Sequence, residues 1–169
     1  FHCWDDVEPP RDNHNVVEML MFLRFTYENL VEKLKWMVSE TRAIDPHHEV
    51  RAHGVPIPQP WYEACANEVD SWGMSMSSNN LLTSKNPLQI ADRAFSFDAA
   101  RALSPNGRWW NEEIYAGMSP GGVTWKKQSE PQELIALLWL TIAGGASGCM
   151  FWQYRPEYLS FEAPGYNLV

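Results

Sequence analysis

The stretch RWWNEEIYAG, residues 108–117, combines a run of large side chains with two adjacent acids and a closing glycine. Residues 108–114 are predicted to form a strand, because Gly107 interrupts the helical pattern before them and aromatic residues favour strands. A strand buried on both faces is usually apolar throughout, so Glu112 and Glu113 are unusual in it. Because side chains alternate along a strand, we expect one carboxylate to point to each side of the sheet.

Three further strands are predicted, at residues 49–54, 69–77 and 147–154. The second reads VDSWGMSMS and alternates apolar with polar residues, which is typical of a strand. Helical patterns separate the strands: residues 90–101 keep a helical period, and residues 130–143 form a strongly apolar helix. Pro131 stands in its first turn, and two glycines, beginning at Gly144, follow its end.

One long helix is predicted within the first fifty residues. Asn13 or Asn15 is placed to cap its start, and Asp45-Pro46 ends it, because the residue before a proline avoids the helical conformation. One apolar stripe at three- and four-residue spacing runs along it: Val16, Leu20, Leu23, Tyr27, Leu30, Leu34 and Met37. Residues 61–68 are predicted to make two helical turns, and residues 116–129 a loop.

Alternating strands and helices predict an α/β fold with a parallel sheet and helical crossovers. A complete (β/α)8 barrel takes about 250 residues, so four strands in 169 residues predict about half of a TIM barrel. The rival fold is an open doubly wound sheet. The sequence has neither a GxGxxG motif after a strand nor a phosphate-binding P-loop, so nothing favours nucleotide binding.

Charge and cysteine content narrow the functional classes. The formal net charge of −8 argues against nucleic acid as a partner. No apolar run approaches the roughly 18 residues of a membrane helix. The three cysteines lie far apart without a CxxC pair, so we expect no zinc and free thiols in a reducing compartment, the cytoplasm. The nine tryptophans fit either a core or a sugar-stacking surface.

Candidate site residues follow from the rule that a parallel barrel carries its function at the carboxyl ends of the strands. The rule selects Glu112 and Glu113, although solvated loop acids are the plain alternative. It also selects residues 151–155, in which aromatic rings with Gln153 and Arg155 suit either a sugar platform or rim packing. His53 ends its strand on the same side, as a site residue or as a hydrogen-bonded structural histidine.

Several segments together resemble glycoside hydrolase family 42, the retaining β-galactosidases. The first is WDDVEPPR at residues 4–11, followed by helix positions within residues 24–36 and by VDSWG at residues 69–73. The most specific segments are EIYAG at 113–117, PG at 120–121, TW at 124–125, FWQYR at 151–155 and EAPG at 162–165. The resemblance extends over nearly the whole chain.

The resemblance implies that the chain holds strands five to eight of the barrel, with no cofactor. It places the catalytic nucleophile on Glu113, with Glu112 as the fallback. It implies a galactose site, and the substrate-binding candidates are Trp4, Tyr115, Trp125, Phe151, Gln153 and Glu162.

One departure from the family pattern concerns the general acid/base. The family carries this glutamate in an Asn-Glu pair after strand four, which would precede Phe1. We therefore expect residues 1–169 to be the C-terminal half of a catalytic domain, inactive alone and paired with the N-terminal half. The complete enzyme, expected to be a homo-oligomer, would hydrolyse terminal β-D-galactosides by double displacement. The alternatives are a non-catalytic carbohydrate-binding remnant and another barrel glycosidase.

Overall fold

A computed structural model describes residues 8–10, 15–54, 64–76, 78, 81–82, 86, 88–117, 120–121, 124–125 and 129–155. The chain divides into two compact units. The first comprises residues 1–48 and 59–68, and the second comprises residues 49–58 and 69–169. Among the residues described, no helix combines the length and the apolar character needed to cross a membrane.

The first unit contains one long helix, α1, at Val16–Ile44. The Asn15 side chain caps its start by accepting a hydrogen bond of 3.2 Å from the Glu18 backbone N–H. Asp45 ends the helix directly before Pro46, as predicted, and its carboxylate accepts hydrogen bonds from the backbone N–H groups of His47 and His48. Both helix boundaries therefore follow from local sequence signals.

The apolar stripe of α1 is mostly exposed among the described residues. The buried residues of the helix are Val31 and Val38, with Tyr27 and Leu34 half-buried beside them. The other members of the stripe are exposed: Val16, Leu20, Leu23, Leu30 and Met37. Of the two helical turns predicted at residues 61–68, residues 61–63 lie outside the described residues, and residues 65–68 form a turn.

The second unit is built on a parallel sheet. Its strands are β1 (Arg51–His53), β2 (Ser71–Ser75), β3 (Trp109–Ile114) and β6 (Gly148–Phe151), and they pair in that order. All three pairings are parallel, which confirms the predicted topology. The strands are shorter than predicted at one or both ends. The last one ends at Phe151 and not at Tyr154.

Two helices connect these strands. Helix α2 is Gln89–Leu103, ended by Ser104 and a 3-10 turn at Pro105–Gly107, and helix α3 is Pro131–Ala143. The predicted loop at 116–129 contains a small antiparallel pair, β4 (Pro120–Gly121) and β5 (Thr124–Trp125), which the sequence did not indicate.

The hydrophobic core lies on the side of the sheet that faces α2 and α3. Phe97 and Leu137 from the helices pack with Trp109 and Ile114 of β3, and all four are almost fully buried. The Phe97 and Trp109 rings stack with their centroids 5.0 Å apart. The Trp109 indole N–H donates to the Gly144 carbonyl at 3.2 Å, so the polar atom of this buried ring is satisfied.

Candidate active site

The side of the sheet that faces away from α2 and α3 carries charged residues from neighbouring strands. Arg51 and His53 of β1 lie on this side, because Arg51 contacts Glu112 and His53 contacts both Glu112 and Glu113. Ser75 of β2 joins them through contacts with His53 and Glu113. His53 and Ser75 end their strands, and Glu113 stands one residue before the end of β3, where a parallel barrel places its chemistry. Arg51 begins β1.

An irregularity in β3 places both acids on this side. Asn111 pairs with Met74, whereas Glu113 pairs with Ser75, so β3 has one extra residue opposite β2. The pairing of β3 with β6 is also shifted, between Asn111 and Ile114. This β-bulge interrupts the alternation of side chains. The expectation that the two carboxylates point to opposite sides of the sheet is therefore wrong.

Two glycines make room for the large side chains of β3. A Cβ at Gly73 of β2 would overlap the Glu112 carboxylate, and a Cβ at Gly148 of β6 would overlap the Trp110 ring. A glycine inside a strand often marks such a close approach. The site therefore depends on the absence of two side chains as well as on the presence of charged ones.

Glu112 belongs to an ion pair that is largely shielded from water. Its Oε1 lies 3.4 Å from the Arg51 Nε, and its Oε2 lies 3.5 Å from the His53 Nδ1. The Arg51 guanidinium also lies 3.8 Å from the centroid of the Trp110 ring, a cation–π geometry. With 12% of its side chain exposed, Glu112 is held by a fixed cation.

Glu113 has different neighbours and is more accessible. The Tyr115 hydroxyl donates a hydrogen bond to its Oε1, and the Ser75 hydroxyl donates one to its Oε2. The His53 Nε2 lies 3.2 Å from the same Oε2. Its side chain is 26% exposed, about twice the fraction of Glu112. Both Glu113 oxygens are therefore oriented by hydroxyl donors while the group stays open to a ligand.

This arrangement suits a carboxylate that acts on a ligand directly. An oriented and accessible carboxylate serves as a nucleophile or as a general base. The acids and the histidine raise the question of a metal, yet no group of three or more ligands in the described residues is able to hold one.

The structure brings two other predicted site residues to Glu113, namely His53 and Tyr115. Gln153 follows β6, and its amide nitrogen is buried without a hydrogen-bond partner in the part of the chain described. Phe151 packs against the core cluster on the helix-facing side, so its contact with a sugar stays a prediction.

For three predicted site residues the structure does not describe the side chain. Trp125 lies in β5, where its backbone pairs with Pro120. Trp4 and Glu162 lie outside the described residues. Their roles in binding galactose also stay predictions.

Sequence reasoning missed Arg51, Ser75 and the two glycines. A signal for Gly73 is present, because a glycine interrupts the alternating run at 69–77. Arg51 is a charged residue inside a short strand, which predicts a buried partner of opposite charge. Ser75 has no such signal, since its role depends on which strands are neighbours.

A carboxylate that ends a strand of a parallel sheet, with aromatic and hydroxyl side chains around it, defines an arrangement that glycoside hydrolases of the barrel class use. The family model of the β-galactosidases, glycoside hydrolase family 42, matches residues 1–168. The chain therefore belongs to this family, which confirms the resemblance predicted from its motifs.

Solved structures of similar fold include three β-galactosidases. The enzyme from the psychrophilic Marinomonas ef1 matches 99% of this chain with a TM-score of 0.78 and 16% identity. The cold-adapted enzyme from Rahnella sp. R3 matches 100% of it with a TM-score of 0.80 and 18% identity. A catalytic mutant of a family 42 enzyme from G. stearothermophilus matches 100% with a TM-score of 0.79 and 15% identity.

The chain spans 28%, 25% and 26% of the lengths of those three structures. Together with its parallel sheet and helices, this likeness gives the chain the fold of part of a TIM barrel, as predicted. A comparison with the curated proteins finds no match to this chain.

Proposed function

We propose that the complete protein containing this chain is a retaining β-galactosidase that hydrolyses terminal β-D-galactosides, with Glu113 as its nucleophile. The observation that carries the assignment is the difference between the two adjacent acids. Glu113 is the more exposed, and two hydroxyl groups orient its oxygens. Glu112 is engaged by Arg51 instead, which removes it as the first candidate.

The proposed reaction is a double displacement. A Glu113 oxygen attacks the anomeric carbon while a second carboxyl group, acting as general acid, protonates the leaving oxygen. This forms a covalent galactosyl-enzyme, and the second group then activates the water that hydrolyses it. The two carboxyl groups of a retaining enzyme stand about 5–5.5 Å apart. We propose that the second group comes from the half of the barrel preceding this chain.

The proposal also covers the sugar-binding residues, the place of this chain in the catalytic domain, the assembly and the compartment. Trp4, Trp125, Phe151 and Glu162, which match galactose-lining positions of the family, are proposed to line the sugar site, with Gln153 as a hydrogen-bond donor. We also propose that residues 1–169 form the C-terminal half of the catalytic domain, that the complete enzyme is a homo-oligomer, and that it works in the cytoplasm.

The test of the nucleophile uses the complete protein and a chromogenic β-galactoside. We expect Glu113→Ala to lower kcat by about 10⁴-fold or more, because removing a nucleophile removes the intermediate. Glu112→Gln, the matched control, is expected to lose far less. A 2-deoxy-2-fluoro-galactoside that forms a stable intermediate should label Glu113, as read by peptide mass spectrometry. A label on Glu112 would move the assignment to that residue.

A second experiment uses the 169-residue chain alone. It lacks the proposed general acid, and β1 and β6 stand at the two edges of its sheet, where unpaired strand edges promote association. We expect no hydrolysis, and a mass in solution above that of the monomer by light scattering. Hydrolysis by a pure monomer would place both carboxyl groups within this chain.

A further inference from the structure

Three neighbouring strands each contribute one member to a chain of hydrogen bonds that ends at Glu113. The His53 Nε2 of β1 lies 2.9 Å from the Ser75 Oγ of β2, and the Ser75 hydroxyl donates to Oε2 of Glu113 in β3. A serine hydroxyl has a single hydrogen. Because that hydrogen points to Glu113, the Ser75 oxygen accepts from His53, whose Nε2 must carry a proton.

The imidazole ring is held from its other side as well. The His53 Nδ1 faces the Glu112 Oε2 at 3.5 Å, and the Glu112 Oε1 is held by Arg51 at 3.4 Å. Arg51 in turn lies against the Trp110 ring. An acid on one ring nitrogen commonly fixes the orientation of a histidine and thereby sets what the other nitrogen does. The cluster therefore turns the Nε2–H of His53 toward the Ser75 Oγ at 2.9 Å, with the Glu113 Oε2 also within 3.2 Å.

We propose that His53 is a positioning residue for Glu113, acting through Ser75 and through its own contact of 3.2 Å with the Glu113 Oε2. The inference rests on the proposed function of Glu113. His53 keeps the Ser75 hydroxyl turned so that it donates to Glu113 Oε2, and this contact, with that of Tyr115 on Oε1, fixes the plane of the carboxylate. The distances are set by the sheet itself, because adjacent strands lie about 4.8 Å apart.

A positioning role predicts a specific kinetic pattern. Misplacing a reacting group by about 1 Å can lower the rate about 100-fold without removing any group that binds the sugar. We therefore expect kcat to fall by about 10- to 100-fold in Ser75→Ala and in His53→Asn. KM should change by no more than about threefold, because ground-state binding is retained. The double variant should lose little more than either single one, since both act on one hydrogen-bond chain.

The matched pair His53→Asn and His53→Gln makes the test specific. The glutamine amide nitrogen reaches the place of the ring Nε2 and donates as it does, whereas asparagine is too short to reach Ser75. His53→Gln should therefore recover most of the kcat that His53→Asn loses. His48→Gln, a change at an exposed histidine that pairs with Asp45 in the first unit, is the neutral control.

All variants are measured in the complete protein, with thermal midpoints recorded to confirm folding. Equal losses in His53→Asn and His53→Gln, additive losses in the double variant, or an unchanged kcat would each overturn the proposal. If His53→Asn does not fold, Ser75→Ala carries the test by the same criterion on kcat and KM. Glu113→Ala in the same assay distinguishes a failure of the proposed function from a failure of the positioning role alone. Full turnover there refutes the proposed function and this proposal with it. Loss there with normal His53→Asn refutes only the positioning role.

Discussion

The two sides of strand β3 lie in different environments. Toward the helices, Trp109, Asn111 and Ile114 are fully buried. Toward the other side, Trp110 and the two glutamates stay partly exposed and contact charged or polar groups. Six consecutive residues thus serve both the core and the candidate site. Substitutions on one side should change stability, and those on the other should change turnover.

The β-bulge in β3 determines on which side of the sheet each of the two acids lies. Regular alternation would have sent one glutamate into the core, where an unpaired carboxylate is strongly unfavourable. The extra residue in β3 keeps both acids on the polar side and returns Ile114 to the core. The acids then differ in environment, one beside Arg51 and the other beside two hydroxyl groups.

The largest effect is expected on the helix-facing side. Leu137 of α3 is fully buried in the core cluster, so Leu137→Ala should destabilise the protein by about 2–5 kcal/mol through lost burial and a residual cavity. Calorimetry of the complete protein should show a lower melting temperature. The folded fraction should keep its kcat. A large loss of kcat in folded protein would show that the two sides are coupled.

The next largest effect tests the polar side through a glycine. Gly73→Ala adds a Cβ where the Glu112 carboxylate lies, so Glu112 must leave Arg51 and His53. We expect kcat to fall by about 10- to 100-fold, because Glu112 then no longer orients His53, which contacts Glu113. Met74→Ala, one residue further along β2 and packed on the core, is the matched control.

The two variants should differ in which measured property changes: kcat for Gly73→Ala and the melting temperature for Met74→Ala. Met74→Ala should lower the melting temperature and leave kcat close to that of the parent. Unaltered turnover in Gly73→Ala would mean that the packing of Glu112 has no bearing on the site.

A smaller effect is expected for the buried polar pair on the helix-facing side. The Asn111 amide donates to the Thr141 hydroxyl at 3.3 Å, and both residues are fully buried. Thr141→Val leaves that amide without an acceptor and should destabilise the protein by about 1–2 kcal/mol. Adding Asn111→Leu should restore most of the loss, because replacing both partners is nearly neutral. If denaturant unfolding instead showed that the losses of unfolding free energy from Thr141→Val and Asn111→Leu add up in the double variant, this pairing would be contradicted.

The sequence predicted the parallel sheet because helices and strands alternate strongly, and the structure confirms the order of the four strands. It also selected the Glu112-Glu113 pair, since adjacent acids in an apolar strand are conspicuous. It did not predict the bulge, which depends on pairing with both neighbouring strands and leaves no local mark. Ser75 was missed for the same reason. The stripe on α1 is mostly exposed, and its periodicity could not show this because it identifies an apolar face without identifying what covers it.

The smallest effect concerns Cys149, which packs on the helix-facing side of β6 next to Gly148 on the polar side. Burial raises the pKa of the Cys149 thiol above its ordinary value of 9.0. In the unfolded chain the thiol ionises at the lower, ordinary pKa. The free energy of unfolding therefore falls as the pH rises above 9.0 toward the raised pKa of the folded state. Well below pH 9.0 this thiol has no such effect, because it is protonated in both states.

Cys149→Ala should accordingly show a shallower decline of melting temperature above that pH than the parent does. The same burial predicts slow alkylation, because the thiolate is the reactive form. Iodoacetamide at pH 8, followed by peptide mass spectrometry, should modify Cys149 more slowly than it modifies glutathione in the same tube. Alkylation of Cys149 at the rate of glutathione would show that this side of β6 is open to solvent, and the contrast between the two sides of the sheet would not extend to its last strand.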